Sequence, residues 1–106
     1  MTLLNARVLA KAQKKHREAA APIQQWMDVA AAANWRSIAD VRLIYPGADG
    51  VPVKVKGIGI VVATVFNIKG NNYRLITVID YAGATIAIQE FLPHAEYSKD
   101  DWKGRL

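Results

Sequence analysis

The fold is decided by the stretch Val65-Phe66-Asn67-Ile68-Lys69-Gly70-Asn71-Asn72-Tyr73-Arg74-Leu75-Ile76-Thr77-Val78-Ile79. Two apolar runs rich in β-branched residues flank Lys-Gly-Asn-Asn, and the Gly and Asn of this cluster tolerate the positive φ that tight hairpin turns need. The stretch therefore predicts an antiparallel hairpin. Arg74 is the exception in the second strand, because it is a permanent cation between Tyr73 and Leu75. Since arginine is rarely buried unpaired, Arg74 either has a buried partner or lines a cleft.

The composition predicts one folded domain over residues 1–106, because 52% of the residues are apolar. The chain has no cysteine, which excludes disulfides, thiolate metal sites and a cysteine nucleophile, and fits a cytoplasmic location. With His16 and His94 as the only histidines, the sequence argues against a histidine zinc site, and we expect no metal or other cofactor. No apolar run approaches the roughly 20 residues of a membrane helix.

The charge of the chain favours a polyanionic partner, nucleic acid first. The formal net charge is +5 and the isoelectric point is near 9.7. Between Asp49 and Asp80 there is no acidic residue, yet this region carries four cations: Lys54, Lys56, Lys69 and Arg74. The alternative is that these lysines only aid solubility.

The remainder of the chain predicts helices before the hairpin and one more strand after it. Before the hairpin we expect an edge strand over Met1–Leu4, a helix from Ala6 to about Arg17 with Asn5 as its N-cap, a second helix from near Pro22 and a third from Ser37 to Ile44. A loop to about Val53 then leads to a strand over Ile58–Ile68, with a bulge or kink at Gly57 and Gly59. The hairpin's second strand over Tyr73–Asp80 is followed by a strand over Thr85–Phe91 and a polar tail.

Together these elements predict an α+β fold. The N-terminal helices pack on one face of a mostly antiparallel sheet of three to five strands, and a short C-terminal helix or turn follows the sheet. We expect Arg74 to open onto the face opposite the helices. If Arg74 is instead buried beneath them, Asp40 or Asp80 is the expected partner.

The polar tail could carry chemistry. Cleavage of RNA without a metal needs a base for the ribose 2′-hydroxyl, an acid for the departing 5′-oxygen and cations for the phosphate. His94, Tyr97 and Lys99 could supply these groups together with Arg74, and Lys69 is a further cation. The three-residue spacing puts His94 and Tyr97 on the same side of a helical turn. The alternative is a surface histidine and a tyrosine that packs on a neighbouring Trp.

Several motifs occur in a fixed order along the chain. They are Asn34-Trp35-Arg36-Ser37 with Ala39-Asp40, Tyr45-Pro46-Gly47-Ala48-Asp49, Val65-Phe66-Asn67-Ile68, Gly70-Asn71 with Tyr73-Arg74-Leu75-Ile76, and His94-Ala95-Glu96-Tyr97-Ser98-Lys99 with Trp102-Lys103. Together they resemble the HigB toxin family from about Met1 to Lys103. These toxins are mRNA interferases of type II toxin–antitoxin modules and have a RelE-like fold.

The resemblance implies a metal-independent endoribonuclease that cleaves mRNA by 2′-hydroxyl attack, usually on the translating ribosome. It also implies neutralisation by a helix-turn-helix antitoxin of the HigA type. Carried over from the family motifs, Arg74 and Lys99 supply positive charge for the phosphate. His94 and Tyr97 form the acid–base pair in either order, and Glu96 orients a cation. We expect RNA contacts from four further lysines: Lys54, Lys56, Lys69 and Lys103.

Two departures from the family pattern bear on function. The stretch from Gly50 to Thr64 is longer than usual, and its lysines could extend the RNA surface or alter antitoxin docking. Gln89 stands where the family often has a basic residue, and acidic Glu90 follows it. The loss of a cation there would weaken phosphate stabilisation.

Two alternatives to the nuclease toxin stay open from the sequence. One is a catalytically weak or inactive module that binds RNA or the ribosome on the same fold. The other is a toxin of a related fold that inhibits a different target through protein contacts. The joint presence of Arg74, His94 and Tyr97 favours the nuclease.

Overall fold

The computed structural model describes all residues from 1 to 106. The fold consists of five strands, four α-helices and two short 3-10 helices. In order they are β1 (Thr2–Leu4), α1 (Arg7–Lys15), a 3-10 helix (Arg17–Ala19), α2 (Ala20–Ala32), α3 (Ile38–Ile44), β2 (Asp49–Val55), β3 (Gly59–Ile68), β4 (Tyr73–Asp80), β5 (Thr85–Pro93), α4 (His94–Ser98) and a second 3-10 helix (Asp101–Arg105). No helix is both long enough and apolar enough to span a bilayer.

The strands form one sheet in the order β1-β5-β4-β3-β2. β1 runs parallel to β5, and every other pair is antiparallel. β3 and β4 are the predicted hairpin, in which Ile68 pairs with Tyr73 across the turn. Lys69 and Gly70 adopt the positive φ of this turn, at 54° and 62°, whereas neither Asn does.

The helices cover one side of the sheet, which we call the helix face. Its core joins residues of α1 and α2 to alternate residues of β3, β4 and β5. Trp26 of α2 meets Phe66 of β3 edge to face, with ring centroids 5.2 Å apart. Burial of each such large side chain contributes about 1.5–3 kcal/mol. The predicted α+β fold, with helices on one face, is confirmed.

The opposite side of the sheet, the second face, has a smaller core of its own. Trp102 of the C-terminal 3-10 helix is fully buried there against Val65, Ile76 and their neighbours. This arrangement explains why the central strands carry apolar residues on both faces, because each face is covered by a different part of the chain.

Tyr73 ties the hairpin to the helices. Its phenol donates a hydrogen bond to the Glu18 carboxylate, and its ring lies 4.8 Å from the His16 ring between centroids. This bond lowers the pKa of Glu18 and raises the pKa of Tyr73, because it stabilises the charged carboxylate and the neutral phenol.

The start of α1 differs from the prediction. Asn5 is not its N-cap, since Asn5 has a φ of 64° and its side-chain amide donates to the carbonyl of Ile88 at 3.1 Å. Asn5 thus connects β1 to β5. α1 also ends at Lys15, before the predicted Arg17, and a 3-10 helix takes the chain into α2.

The region predicted as a loop to Val53 contains strand β2. Every second residue of β2 from Val51 to Val55 faces the second core. Gly50 and Pro52, both poor strand formers, hide this alternation in the sequence. Gly57 lies in a true turn at Lys56–Ile58 between β2 and β3, and Gly59 begins β3, so neither marks a bulge within one strand. β2 is therefore an edge strand with Pro52 in its middle.

β5 contains a bulge and is longer than predicted. Ile88 pairs with Thr77 and Glu90 pairs with Ile76, so Gln89 has no partner in β4. The extra residue lets Ile88 and Phe91 both face the helix core although they are three residues apart. The strand continues to Pro93, which pairs with Tyr73 and leads directly into α4.

Candidate active site

Arg74 lies on the second face, as predicted. It alternates along β4 with Tyr73 and Leu75, which both belong to the helix-face core. Its guanidinium donates to the backbone oxygen of Asn71 at 3.0 Å and to the Asn71 side-chain oxygen at 2.5 Å. No carboxylate pairs with Arg74. The hairpin turn therefore orients this cation without neutralising it.

Tyr97 of α4 lies beside Arg74. The guanidinium carbon is 5.7 Å from the centroid of the Tyr97 ring. On its other side Tyr97 stacks on Trp102, with centroids 5.4 Å apart and planes 14° apart, and the Trp102 indole donates to the Tyr97 carbonyl at 3.2 Å. The predicted packing of these two rings is confirmed, and it coexists with the contact to Arg74.

The environment of Tyr97 keeps its phenol protonated at neutral pH. Burial raises the pKa of Tyr97, and the charge of Asp49 raises it further, while Arg74 acts in the opposite direction. A neutral phenol beside a fixed cation is a proton donor. The arrangement can therefore supply a proton to a leaving oxygen and positive charge to a phosphate.

His94 and Lys99 are exposed at the two ends of α4. The backbone N–H of His94 donates to the carbonyl of Asn72 at 2.9 Å, but no side chain hydrogen-bonds to its imidazole. The Lys99 ammonium lies 3.1 Å from the Glu96 carboxylate, which fits the expected role of Glu96 in orienting a cation.

Of the four predicted catalytic residues, the structure shows one pair in direct contact. Arg74 and Tyr97 are in contact, whereas His94 and Lys99 make no hydrogen bond or ion pair with either of them. The cavities of the protein are lined by other residues. The candidate site is thus an open surface around α4 and the hairpin turn, which suits a long substrate better than a small molecule.

The predicted RNA-contacting lysines divide into two groups. Lys69 belongs to the hairpin turn next to Asn71, and Lys103 lies over the Trp102 ring at 5.8 Å while pairing with Asp100 at 3.5 Å. Lys54 and Lys56 lie at the other end of β3, since Lys54 pairs with Ile60. Eight residues of strand separate Ile60 from Ile68, which is about 26 Å.

Asp49 and Asn67 lie on the second face near the site, although their sequence context predicted no role for them. Asn67 pairs directly with Arg74, and Asp49 pairs with Val65. The Asn67 amide is close to the backbone at Gly47, where an added Cβ would lie 2.9 Å from it. Residues equidistant from a hairpin turn face each other, so the position of Asn67 could have been found from the Lys69–Asn72 turn.

Glu90 does not bring an unpaired negative charge to the site. It pairs with Ile76 on the second face, and its carboxylate accepts two hydrogen bonds of 2.9 Å from the Arg105 guanidinium. The acid next to Gln89 is therefore bound by a cation from the C-terminal segment. Nowhere in the chain do three or more His, Asp or Glu side chains cluster as metal ligands do.

A family model for the RelE-like toxic component of a toxin–antitoxin system, HigB_toxin, matches residues 19–100. The chain belongs to the HigB toxin family. A comparison with curated proteins finds no match. The chain is thus the toxin of a toxin–antitoxin system, and membership of the HigB family implies an antitoxin partner. The matched range includes Arg74, α4 and the whole of the β2–β3 hairpin.

Proposed function

We propose that this HigB toxin is a metal-independent endoribonuclease that cleaves mRNA on the translating ribosome. The cytoplasm is its proposed location, and a helix-turn-helix protein of the HigA type is its proposed antitoxin. The observation that carries the proposal is the contact between Arg74 and Tyr97 at 5.7 Å, on the face of the sheet opposite the N-terminal helices. A cation with no carboxylate partner, held next to a protonated phenol, is suited to phosphoryl transfer from RNA.

The roles of the two acid–base candidates follow from their surroundings. Tyr97 is the proposed proton donor, because its phenol lies next to the Arg74 cation and, with its pKa raised by burial, stays protonated. His94 is exposed and free to accept the proton of the 2′-hydroxyl. The 2′-oxygen then attacks phosphorus, the bond to the 5′-oxygen breaks, and Tyr97 protonates that oxygen. The products are a 2′,3′-cyclic phosphate and a 5′-hydroxyl end.

The charges at the site have distinct proposed roles. Arg74 stabilises the phosphate in the transition state, and its bonds to Asn71 fix its direction. Lys99 joins it when RNA displaces Glu96, because their ion pair is exposed and therefore weak. Lys69 and Lys103 bind flanking phosphates. Contacts from Lys54 and Lys56 would require the RNA strand to pass both ends of β3.

A second candidate function is an RNA- or ribosome-binding module without efficient catalysis. It is favoured by the lack of any hydrogen bond or ion pair from the side chains of His94 and Lys99 to Arg74 or Tyr97, and by the ion pair that occupies Lys99. This function retains the basic surface and the stacking of Tyr97. It predicts growth arrest without cleaved mRNA.

The experiment compares mRNA cleavage on programmed ribosomes by the wild type, Tyr97→Phe and His94→Ala. Removal of a general acid or base is expected to lower the rate about 100-fold or more while RNA binding persists. Tyr81→Phe is the matched control, since Tyr81 lies in the turn after β4 and is expected to leave cleavage unchanged. End analysis of the products identifies the 2′,3′-cyclic phosphate.

Each outcome decides between the two candidates. Wild-type rates in both Tyr97→Phe and His94→Ala, with the fold verified by circular dichroism, would show that the assigned site is wrong. Tight ribosome binding by the wild type with no cleaved product would favour the binding module.

A further inference from the structure

The end of the β2–β3 hairpin carries an uncovered apolar surface, which we call the apolar arm. It consists of Ile58, Ile60 and Val62, whose exposed fractions are 75%, 67% and 53%. The side chains of Ile60 and Val62 point to the helix face of β3, whose next two residues on that face, Thr64 and Phe66, are buried. The sheet thus extends beyond the helices that cover it.

The cover by α3 reaches the neighbourhood of Val62. An added Cβ at Gly50 would meet Ile38 of α3 at 3.2 Å and Val62 at 3.6 Å, so both side chains lie close to Gly50. Farther along the arm, Ile60 and Ile58 are more exposed than Val62. Clustered exposed aliphatic residues of this kind mark contact surfaces for other proteins.

The hairpin that carries the apolar arm contributes only positive charge between Gly50 and Thr64. Lys54 shares a face with Ile60, its partner across the strands, and Lys56 lies in the turn. Neither lysine has a carboxylate partner. The stretch from Gly50 to Thr64 contains no acidic residue. A surface of aliphatic side chains with a positive rim is complementary to a segment that combines apolar side chains with carboxylates.

We propose that the apolar arm is a docking surface for an acidic, apolar segment of the antitoxin. The proposal rests on the toxin–antitoxin family assignment and not on the cleavage mechanism. RNA fits this surface poorly, because RNA recognition uses stacking and hydrogen bonds, which Ile58, Ile60 and Val62 do not offer. A second copy of the chain would bring Lys54 and Lys56 of both copies together with no acid in the arm to balance them.

The location separates this surface from the candidate active site. Ile60 is on the helix face near the start of β3, whereas Arg74 is on the second face opposite Asn67 near the end of β3. An antitoxin segment on the apolar arm would therefore recognise the toxin without touching Arg74 or Tyr97.

The test measures the affinity of the purified full chain for the antitoxin encoded by the reading frame adjacent to its own gene. The double variant Ile60→Thr with Val62→Thr keeps β-branched residues in β3 and is expected to weaken binding about tenfold or more. Leu43→Gln is the matched control. Leu43 is 82% exposed on α3, outside the arm, and its substitution is expected to leave the affinity within about twofold of the wild type.

A second variant tests the charges without changing the packing of the arm. Lys54→Glu with Lys56→Glu is expected to weaken antitoxin binding, whereas Ile60→Thr with Val62→Thr is expected to leave mRNA cleavage and RNA binding unchanged. Wild-type antitoxin affinity in both double variants overturns the proposal. So does an adjacent-frame protein that fails to bind the wild type, or an arm variant that loses RNA affinity instead. A dimer of the free chain that the Ile60→Thr and Val62→Thr substitutions dissociate would assign the arm to self-association.

Discussion

The two ends of β3 differ in the side chains that they present. At its C-terminal end, the hairpin turn hydrogen-bonds the charged side chain of Arg74, whereas its N-terminal end carries the exposed aliphatic side chains of the apolar arm. The Lys69–Asn72 turn contributes Asn71, which fixes the guanidinium of Arg74, and α4 adds Tyr97. The Lys56–Ile58 turn contributes Ile58 to the apolar arm and no hydrogen bond to any side chain of the arm. The two turns are separated by a strand of ten residues, about 33 Å.

The difference shows how a small domain can keep two partners apart. Fixed charge with little apolar area suits phosphate, whose recognition depends on position and electrostatics. Aliphatic area with a charged rim suits a protein segment, whose affinity depends on the exclusion of water. Because the two surfaces lie at opposite ends and on opposite faces of β3, a substitution in one is expected to leave the other unchanged.

The largest expected effect is that of Arg74→Ala on catalysis. Removal of the cation is expected to lower mRNA cleavage on ribosomes about 100- to 1000-fold, because the charge that develops on the phosphate loses its nearest donor. Antitoxin affinity, measured by calorimetry on the same preparation, is expected to stay at the wild-type value. Arg74→Lys is the control that keeps the charge but loses the two-point contact with Asn71. If Arg74→Ala lowered both mRNA cleavage and antitoxin affinity, the two ends of β3 would not serve separate partners.

Trp102→Ala is expected to cost about 3–5 kcal/mol of unfolding free energy, since Trp102 is fully buried in the core of the second face. The same change removes the ring on which Tyr97 stacks, so cleavage by the folded fraction should also fall. Denaturant titration gives the free energy, and Trp102→Phe is the conservative control with a smaller expected loss. Full cleavage activity in folded Trp102→Ala would show that the function of Tyr97 does not depend on its stacking against Trp102.

The salt dependence of RNA binding separates the two groups of lysines. If Lys69 and Lys103 each neutralise one phosphate of single-stranded RNA, each alanine variant should reduce the slope of log K against log salt by about 0.7. Lys54→Ala and Lys56→Ala should leave that slope at the wild-type value if the apolar arm serves the antitoxin. An equal reduction in all four variants would instead support the broader RNA surface expected from the sequence.

The smallest expected effect concerns the bond between Tyr73 and Glu18 and the pH dependence of stability. The pKa of Glu18 is lowered from 4.5 in the native state, so its contribution is present above pH 4.5 and is lost as the pH falls through the native pKa. The pKa of Tyr73 is raised from 10.0, so its contribution is full below pH 10.0 and is lost as the pH rises through the native pKa. Tyr73→Phe should flatten both limbs of the Tm profile.

Tyr45→Phe is the control for this profile. Burial alone raises the pKa of Tyr45, so its removal should change the alkaline limb and leave the acid limb as in the wild type. If the acid limb of Tyr73→Phe were the same as that of the wild type, the Tyr73 phenol would not be lowering the pKa of Glu18.

The parts of the fold that the sequence predicts are those fixed by local rules. Lys-Gly-Asn-Asn specifies the hairpin turn, and the two-residue period of β4 places Arg74 opposite the helix core. Strand β2 was not predicted, because Gly50 and Pro52 interrupt its alternation of apolar and polar residues. The bulge at Gln89 breaks the period of β5, so alternation alone assigns the following residues to the wrong face.

The contacts on the helix face depend on features that no local pattern encodes. Glu18 and Tyr73 are 55 residues apart in the chain, and nothing near either residue predicts their bond. Ile60 and Val62 are aliphatic like core residues, and no local pattern predicts that they are exposed. The catalytic roles of Arg74, His94, Tyr97 and Lys99 stay predictions, as do the RNA contacts of the lysines.

Pro52 in the middle of the edge strand has a consequence for solubility. An open seven-residue edge beside three exposed aliphatic side chains is the kind of segment from which fibrils and aggregates grow, since it can accept a further strand. A proline on an edge strand faces outward where an N–H would stand, so an added strand finds one donor missing. Pro52 therefore disfavours strand addition at the open edge beside the apolar arm.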